Sequence, residues 1–361
     1  MQTLIELTPG DPSTRQPYHL IGAGSFAYVF RSLAASEPHV IKIPSKNDPH
    51  IRYLYGEEFK ILHIIRAHSH PNIIQFIHGI YNEQEGDFLA SYFMLELVNG
   101  SDLHVQINNW KKRGLFLPPI LLYELLLGIA MGMRHLHENC SIIHRDIKLE
   151  NILLHITEEK IIPKITDFGL SCQITSFNEM ILSERRVGTR QYMAPESFRF
   201  GQYFVRSDVY SFAVLMFVMA TFILPHNPFG ADNETIKKIM TAVSIGGRQE
   251  IPFFVDTHLK KMIHDCWAPE PQNRPFASEI ENCLIERLIA EPKLSHHSTA
   301  LTRIPDNQRV FTKWNRPFGI FSSSLSRIPA ASPSQAGAVI EEVVTAASHD
   351  VHDVVNQKME P

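Results

Sequence analysis

The sequence predicts an α+β protein in which a small antiparallel-sheet lobe precedes a larger helical lobe. Between residues 18 and 98, short runs rich in Val, Ile, Phe and Tyr are broken by Gly, Pro and Asn, which is typical of strands. From 103 to about 290, apolar residues recur at spacings of three and four, which predicts helices. With 361 residues, 44% of them apolar, the chain is long enough for two packed lobes.

The individual elements follow from these two periodicities. One predicted helix, 53–66, interrupts the strands of the small lobe, and the large lobe contains predicted helices at 120–138, 207–221, 233–244 and 256–266. The most apolar run is 212–224. It is too short to cross about 30 Å of hydrocarbon, so we expect a buried helix there and no transmembrane segment.

The composition divides the chain into three parts. We expect an N-terminal extension at 1–15, a domain at 16–290 with lobes at about 16–98 and 99–290, and a C-terminal tail at 291–361. The tail is rich in Ser, Pro, Thr and Arg and is predicted to be largely disordered. Within it, segment 338–356 is either an amphipathic helix that docks on a partner or a marginal, frayed helix. Its helical face comprises Ile340, Val343, Val344, Ala347, Val351, Val354 and Val355.

Charge and cysteine usage exclude several classes of protein. The chain has 34 basic and 38 acidic residues and a formal net charge of −4, which argues against general nucleic-acid binding. Its four cysteines form no CxxC pair, so neither a disulfide framework nor a zinc finger is indicated. The first residues lack a basic leader, so we expect no signal peptide and a cytoplasmic location.

Two features near the start of the domain suit phosphate binding. Gly22, Ala23 and Gly24 open a GxGxxA turn that ends at Ala27, where small side chains allow the backbone to approach phosphates closely. A predicted strand further on carries Lys42, whose amine can pair with phosphate oxygens. Each feature alone is weak.

Three later motifs are much more specific. His-Arg-Asp-Ile-Lys-Leu-Glu-Asn at 144–151 is followed by Asp-Phe-Gly at 167–169 and Ala-Pro-Glu at 194–196. In this order the motifs resemble those of eukaryotic-type protein kinases, and the resemblance covers about 18–287, three quarters of the chain. It implies the bilobal protein kinase fold and transfer of the γ-phosphoryl group of ATP to protein hydroxyls.

The resemblance implies roles for the charged residues of these motifs. Asp146 would accept or orient the proton of the substrate hydroxyl, and Lys148 would stabilise the transferring phosphoryl group. Asn151 and Asp167 would hold Mg²⁺, with Mn²⁺ as an alternative cation. Lys42 would contact the α- and β-phosphates of ATP.

An ion pair from the first helix should position Lys42, and two adjacent glutamates are available. We choose Glu58, because Glu58 to Leu62 is similar to the family's Glu-x-x-x-Leu pattern. Glu57 remains the alternative, since neighbouring helix positions differ by about 100° of rotation.

The nucleotide-binding residues are also implied by the resemblance. Residues 93–100 resemble the last strand of the small lobe and the hinge that binds adenine through backbone groups. With the glycine-rich turn and Lys42, the implied set comprises the gatekeeper Leu95, the hinge residues Glu96 and Val98, the ribose-binding Asp102, and the apolar Val29, Val40 and Leu153 around the adenine ring.

Structural supports for the catalytic loop are implied as well. Thr189 would bond Asp146 and Lys148, while Asp208 would brace the loop from a buried helix. Arg274 would pair with Glu196 of the Ala-Pro-Glu motif.

Specificity and regulation can be read from a few further residues. The position of Lys148 resembles the Ser/Thr-specific pattern, and Asp-Val-Tyr-Ser-Phe at 208–212 resembles the tyrosine-kinase-like group. The resemblance also implies a preference for arginine upstream of the acceptor, because Glu150 and Asp102 lie where related kinases present carboxylates. In the family, an arginine at the position of Arg145 reads a phosphate on the activation loop, here 167–196, so the resemblance implies control by phosphorylation of this loop, and Ser183 or Ser176 is the predicted site.

A nucleotide-binding pseudokinase scaffold is the alternative function. Ala27 replaces the third glycine of the turn, and Val40 stands where alanine is usual above the adenine, so the nucleotide pocket is expected to be narrower. Neither residue replaces a charged group of the motifs, and an active kinase is the preferred interpretation.

Overall fold

The computed structural model describes residues 4–7, 16–24, 26–33, 38–84, 88–158, 160–184, 186–223, 242–243, 246–290 and 302–303. Within these residues the chain forms two compact units. Met1–Phe59 and Phe76–Leu97 contribute to the first unit, and Lys60–Gln75 and Val98–Ile304 form the second.

The first unit is built on a six-stranded antiparallel sheet. Its strands, in chain order, are β1 (Leu4–Leu7), β2 (Gln16–Ala23), β3 (Ala27–Ser32), β4 (His39–Pro44), β5 (Phe76–Ile80) and β6 (Tyr92–Glu96). Their order across the sheet is β1-β2-β3-β4-β6-β5. Strand β1 lies in the predicted N-terminal extension and adds an edge strand beside β2.

Helix α1 (Pro49–Ala67) begins one turn earlier than the predicted helix 53–66. The carboxylate of Asp48 explains the earlier start, because its Oδ1 accepts hydrogen bonds from the backbone amides of His50 and Ile51 at 2.9 and 3.3 Å. Pro49 suits the first helical position, where an amide proton has no intrahelical partner. In the first unit, Tyr55 of α1 stacks on Phe93 of β6 with ring centroids 3.9 Å apart.

The second unit is mainly helical. Its helices are α2 (Leu103–Lys112), α3 (Pro119–Arg134), α4 (Pro195–Phe200), α5 (Val205–Thr221), α6 (Thr257–Cys266) and α7 (Ala277–Ala290). Short strands lie between and after them: β7 (Leu115–Phe116), β8 (Ile142–Ile143), β9 (Ile152–Ile156), β10 (Ile161–Ile165), β11 (Cys172–Gln173), β12 (Ile181–Leu182), β13 (Gln202–Tyr203) and β14 (Thr302–Arg303).

Helices α3 and α5 form the core of this unit. The predicted apolar run 212–224 falls largely within α5, which is buried along almost its whole length, as expected. Helix α3 packs against β10 and α7. An added Cβ at Gly128 would lie 2.7 Å from Pro163 and 2.8 Å from the amide of Asn72, so this position requires glycine.

One helical stretch of the described chain, Pro119–Asn139, is long and apolar enough to cross a membrane by length and composition. Its most apolar window is 61% buried within the protein, as in the core helix of a folded lobe. The stretch consists of α3 and a π-helical turn, His135–Asn139. The predicted helix 120–138 therefore changes its hydrogen-bonding pattern at its last turn.

The structure describes two residues of the tail, Thr302 and Arg303. Thr302 and Arg303 pair with Phe116 and Leu115 in an antiparallel ladder, so this part of the tail is a strand of the second unit. The predicted amphipathic helix 338–356 lies outside the described residues, as does nearly all of the predicted helix 233–244.

Candidate active site

Lys42 lies on β4 and is paired with Glu58 of α1. Its Nζ donates to Oε1 and Oε2 of Glu58 at 2.7 and 2.9 Å, and both side chains are largely buried. Of the two glutamates that the sequence left open, Glu58 therefore makes the bidentate contact. The hydroxyl of Tyr55 donates to the backbone carbonyl of Lys42 at 2.6 Å, which ties the strand to the helix.

The strand register places the other candidate nucleotide contacts of the first unit on one face of the sheet. Gly22 is opposite Val29, Val29 is opposite Lys42, and Val40 is opposite Leu95. Cross-strand partners point to the same face, and so do residues two apart on one strand. Val29, Val40, Lys42 and Leu95 thus share a face, whereas Glu96 follows Leu95 at the end of β6.

The glycine-rich turn is a tight hairpin between β2 and β3. The amide of Gly24 donates to the carbonyl of Ala27 at 2.9 Å. Ala27 itself lies in β3 opposite Pro44, where an extended backbone accepts any L-residue. The replacement of the third glycine by alanine is therefore compatible with this turn.

In the second unit, Asp208 of α5 holds the motif at 144–151 through hydrogen bonds to its backbone. Its carboxylate accepts the backbone amides of His144 and Arg145 at 2.8 and 2.9 Å, and Nε2 of His137 donates to it at 2.9 Å. These bonds hold Arg145 in a left-handed conformation with φ of 65°. The predicted brace from Asp208 is thus present.

Asp146 stands at the centre of a hydrogen-bonded group. Lys148 Nζ donates to its Oδ2 at 2.6 Å and to Thr189 Oγ1 at 2.9 Å. Asn151 Nδ2 donates to the same carboxylate oxygen at 3.1 Å, while the amide of Thr189 donates to Oδ1 at 2.8 Å. The predicted contacts of Thr189 are therefore both observed. Three donated bonds would fix the direction of a carboxylate that abstracts or orients a proton.

Asn151 and Asp167 are close along the β9–β10 hairpin. Ile152 is opposite Ile165, and the amide of Thr166 donates to the carbonyl of Asn151 at 3.0 Å. Asn151 turns its Nδ2 toward Asp146, so its Oδ1 lies on the other side of the amide group. Carboxamide and carboxylate oxygens are ligands that Mg²⁺ prefers, so the residues fit that cation. The described residues contain no cluster of three His, Cys, Asp or Glu side chains suited to a metal.

Asp102 and Leu153 are partners in a β-bridge, which brings together two predicted nucleotide contacts of this unit. Asp102 also caps α2, because its Oδ1 accepts the amide of Val105 at 2.8 Å. Val98, the remaining hinge candidate, is the first residue of the segment Val98–Ile304 of this unit. Glu150 lies 3.2 Å from Nδ1 of His104.

The segment between the Asp-Phe-Gly and Ala-Pro-Glu motifs is fixed at its C-terminal end. Glu196 and Arg274 form a buried bidentate pair with both N–O distances at 2.8 Å, as predicted. Ser207 donates to Glu196 at 2.7 Å. Upstream, Phe168 is buried and packs edge-to-face on His144 with centroids 5.1 Å apart.

Sequence reasoning missed two supporting side chains. His137, in the π-helical turn, forms a hydrogen bond with Asp208. The hydroxyl of Tyr203 accepts a hydrogen bond from the amide of Val187 and donates one to the carbonyl of Val187, both at 2.8 Å. The signal for His137 was a polar residue on the buried face of an apolar helical run. Nothing in the local sequence indicates the role of Tyr203, because its contact depends on the β12–β13 pairing.

Residues 16–283 match the protein kinase domain family. This chain belongs to the protein kinase family. Among curated proteins, the kinase domain is 29% identical to the serine/threonine-protein kinase STY17 of Arabidopsis thaliana, over 75% of this chain and 44% of that protein. It is 29% identical to the Arabidopsis serine/threonine-protein kinase CTR1, over 73% of this chain and 30% of that protein.

A Dictyostelium discoideum relative is named as a dual specificity kinase. The dual specificity protein kinase shkC is 30% identical over 75% of this chain and 51% of its own length. The relatives support the resemblance to the tyrosine-kinase-like group. The chain spans about half or less of the length of these three kinases.

Proposed function

We propose that this chain is an ATP-dependent protein serine/threonine kinase. The observation that carries the proposal is the group around Asp146, in which Lys148, Asn151 and Thr189 all bond one buried carboxylate. The membership of the chain in the protein kinase family supports the same reaction.

In the proposed reaction, Asp146 accepts or orients the proton of a Ser or Thr hydroxyl. The hydroxyl oxygen bonds to the γ-phosphorus as the bond from that phosphorus to the β–γ bridging oxygen breaks, which releases ADP. Lys148, fixed by Asp146 and Thr189, stabilises the negative charge of the transferring group. Lys42, fixed by Glu58, binds the α- and β-phosphates.

The same proposal covers the divalent cation and the nucleotide. Mg²⁺, or Mn²⁺ in its place, would neutralise charge on the phosphate oxygens when held by Asn151 and Asp167. The glycine-rich turn at 22–24 would approach the phosphates through its backbone. The adenine and ribose contacts comprise Val29, Val40, Leu95, Glu96, Val98, Asp102 and Leu153.

Activation-loop phosphorylation is the regulation that we propose. Arg145 donates to the carbonyls of Leu170 and Ser171, so it already lies beside this segment. Ser171 is buried and donates to the carbonyl of His144, which makes it a structural residue. Ser176 is exposed, so Ser176 or Ser183 remains the proposed site of autophosphorylation. An unmodified loop in a fully active preparation, shown by mass spectrometry, would contradict this.

The cellular setting of the kinase is also a proposal. Cys140, Cys172, Cys266 and Cys283 are all free, which supports a reducing, cytoplasmic environment. The partners that we propose are protein substrates with Ser or Thr acceptors and a docking partner for the tail, and we propose no nucleic-acid partner. Glu150 and Asp102 support a preference for arginine upstream of the acceptor.

Phosphoamino acid analysis tests the proposed specificity. The protein is incubated with labelled ATP, Mg²⁺ and a generic basic protein substrate, and the modified residues are separated after hydrolysis. We expect phosphoserine and phosphothreonine. Phosphotyrosine as the main product would contradict the Ser/Thr assignment. ATP binding without any transfer would favour the pseudokinase scaffold.

A further inference from the structure

Three exposed arginines lie in or next to the segment that contacts Asp146. Arg186, Arg190 and Arg199, here called the arginine rim, are exposed, whereas Glu184 is the single exposed carboxylate among the described residues from 183 to 202. None of the three forms an ion pair with a carboxylate in the part of the chain that the structure describes. The surface therefore presents uncompensated positive charge.

The backbone of Arg190 is held in place although its side chain faces solvent. Its neighbour Thr189 donates an amide hydrogen bond to Asp146 at 2.8 Å. A turn follows, in which the amides of Tyr192 and Met193 donate to the carbonyls of Thr189 and Arg190 at 2.9 and 3.3 Å. Tyr192 and Met193 are buried, so Arg190 projects from an anchored loop.

The other two arginines are connected to each other. Arg186 Nη2 donates to the carbonyl of Arg199 at 3.0 Å, and the guanidinium of Arg199 lies 4.9 Å from the ring centroid of Phe200. Val187, next to Arg186, is fixed by both of its bonds to Tyr203. These contacts orient the positive groups without neutralising them.

Position relative to Asp146 determines which part of a substrate the rim can contact. Thr189 contacts the candidate catalytic carboxylate of Asp146 directly. The Cα atom of Arg190 is about 3.8 Å from that of Thr189, because the two residues are consecutive. When the acceptor hydroxyl of a peptide contacts Asp146, the peptide residues nearest to Arg190 are those within about two positions of the acceptor. Guanidinium groups bind carboxylates and phosphoryl groups through paired N–H donors.

We propose that the arginine rim selects substrates with an anionic side chain within two residues of the acceptor hydroxyl. This proposal rests on the proposed kinase function and names its substrate class. It is compatible with the proposed upstream arginine, because the carboxylates that would contact that arginine, Asp102 and Glu150, are not part of the rim.

The test compares peptides that differ only beside the acceptor serine. Alanine, aspartate, phosphoserine or arginine is placed at each of the two positions on either side, and kcat/KM is measured for each peptide. We expect aspartate or phosphoserine to exceed alanine by about fivefold at one of these positions, mainly through KM. A preference for phosphoserine alone would identify the phosphoryl group as the anion. The proposal is overturned if neither aspartate nor phosphoserine exceeds alanine at any of the four positions.

Variants assign the preference to the rim. Arg190→Gln should remove it and Arg190→Glu should shift it toward the arginine peptide, whereas Arg113→Gln, an exposed arginine at the end of α2, should retain it. Equal melting temperatures exclude loss of folding as the cause. An unchanged preference in both Arg190 variants would contradict the assignment.

Binding separates this proposal from the proposed function. Fluorescence anisotropy gives the dissociation constants of the same peptides for the Asp146→Asn variant, so the preference is measured without turnover. Tighter binding of the anionic peptides supports the rim even if the wild type transfers no phosphate. Equal dissociation constants overturn it even if the wild type is an active kinase.

Discussion

At the residue scale, the pairing of Lys42 with Glu58 decides between two adjacent glutamates. Glu58→Gln removes the charge that fixes the amine of Lys42, so we expect kcat/KM for ATP to fall by about tenfold or more. Glu57→Gln is the matched control and should stay near the wild-type value. The measurement is initial rate against ATP concentration. Equal losses in the two variants, at equal melting temperatures, would contradict the assignment.

His70 provides a residue-scale prediction about pH. Burial, followed by the nearby charges of His135, Arg134 and Lys164, lowers the pKa of His70 from 6.5 to about 4. Its Nδ1 accepts the amide of Asn72 at 3.1 Å, a bond that requires the unprotonated ring nitrogen. The unfolded chain therefore binds this proton more readily than the folded one.

The sign of the effect follows directly. The stability associated with neutral His70 is fully present above about pH 6.5 and is lost as the pH falls toward 4. Between these pH values, chemical denaturation should show a smaller loss in the free energy of unfolding for His70→Gln than for the wild type. His63→Gln, an exposed residue of α1, should behave as the wild type. Parallel pH profiles for all three proteins would refute the prediction.

At the element scale, Asp256 joins three helices of the second unit. It caps α6 through the amide of His258 at 2.8 Å, accepts the hydroxyl of Tyr123 on α3 at 2.7 Å and pairs with Arg287 on α7 at 2.9 Å. Asp256→Ala removes all three contacts, so we expect the free energy of unfolding to fall by about 2 kcal/mol.

Asp256→Asn is the informative companion variant. Asparagine is also a good N-cap, so it should retain part of the stability while losing the charge that pairs with Arg287. Thermal and denaturant unfolding measure both variants. A loss below about 0.5 kcal/mol in the alanine variant would show that these helices are held mainly by apolar packing.

The elements also show how far periodicity carries a prediction. Helix α5 was predicted almost correctly because its apolar run is long and uninterrupted. The start of α1 was missed because an aspartate cap, not an apolar period, determines it. The pair β12–β13 has two residues in each strand, and such short ladders depend on contacts between distant parts of the chain. The π-helical turn after α3 likewise has no periodic signal.

At the scale of the whole molecule, the motifs predicted the family and the contacts within each motif. Asp146, Lys148 and Asn151 are close in sequence, so the loop that joins them could be inferred directly. The arginine rim could not, because it requires residues around Arg186 to lie beside the last turn of α4. The strand at Thr302 and Arg303 is equally non-local, since it pairs with residues nearly 190 positions earlier.

The proposed phosphoryl transfer depends most directly on Asp146, which would accept or orient the proton of the acceptor hydroxyl. The most direct measurement compares wild type and Asp146→Asn for ATP affinity and for transfer of labelled γ-phosphate to the protein itself and to a generic substrate. We predict similar ATP affinities and a transfer rate lower by about 100-fold or more in the variant. Equal transfer by both proteins, or ATP binding by both with no transfer by either, would contradict the account.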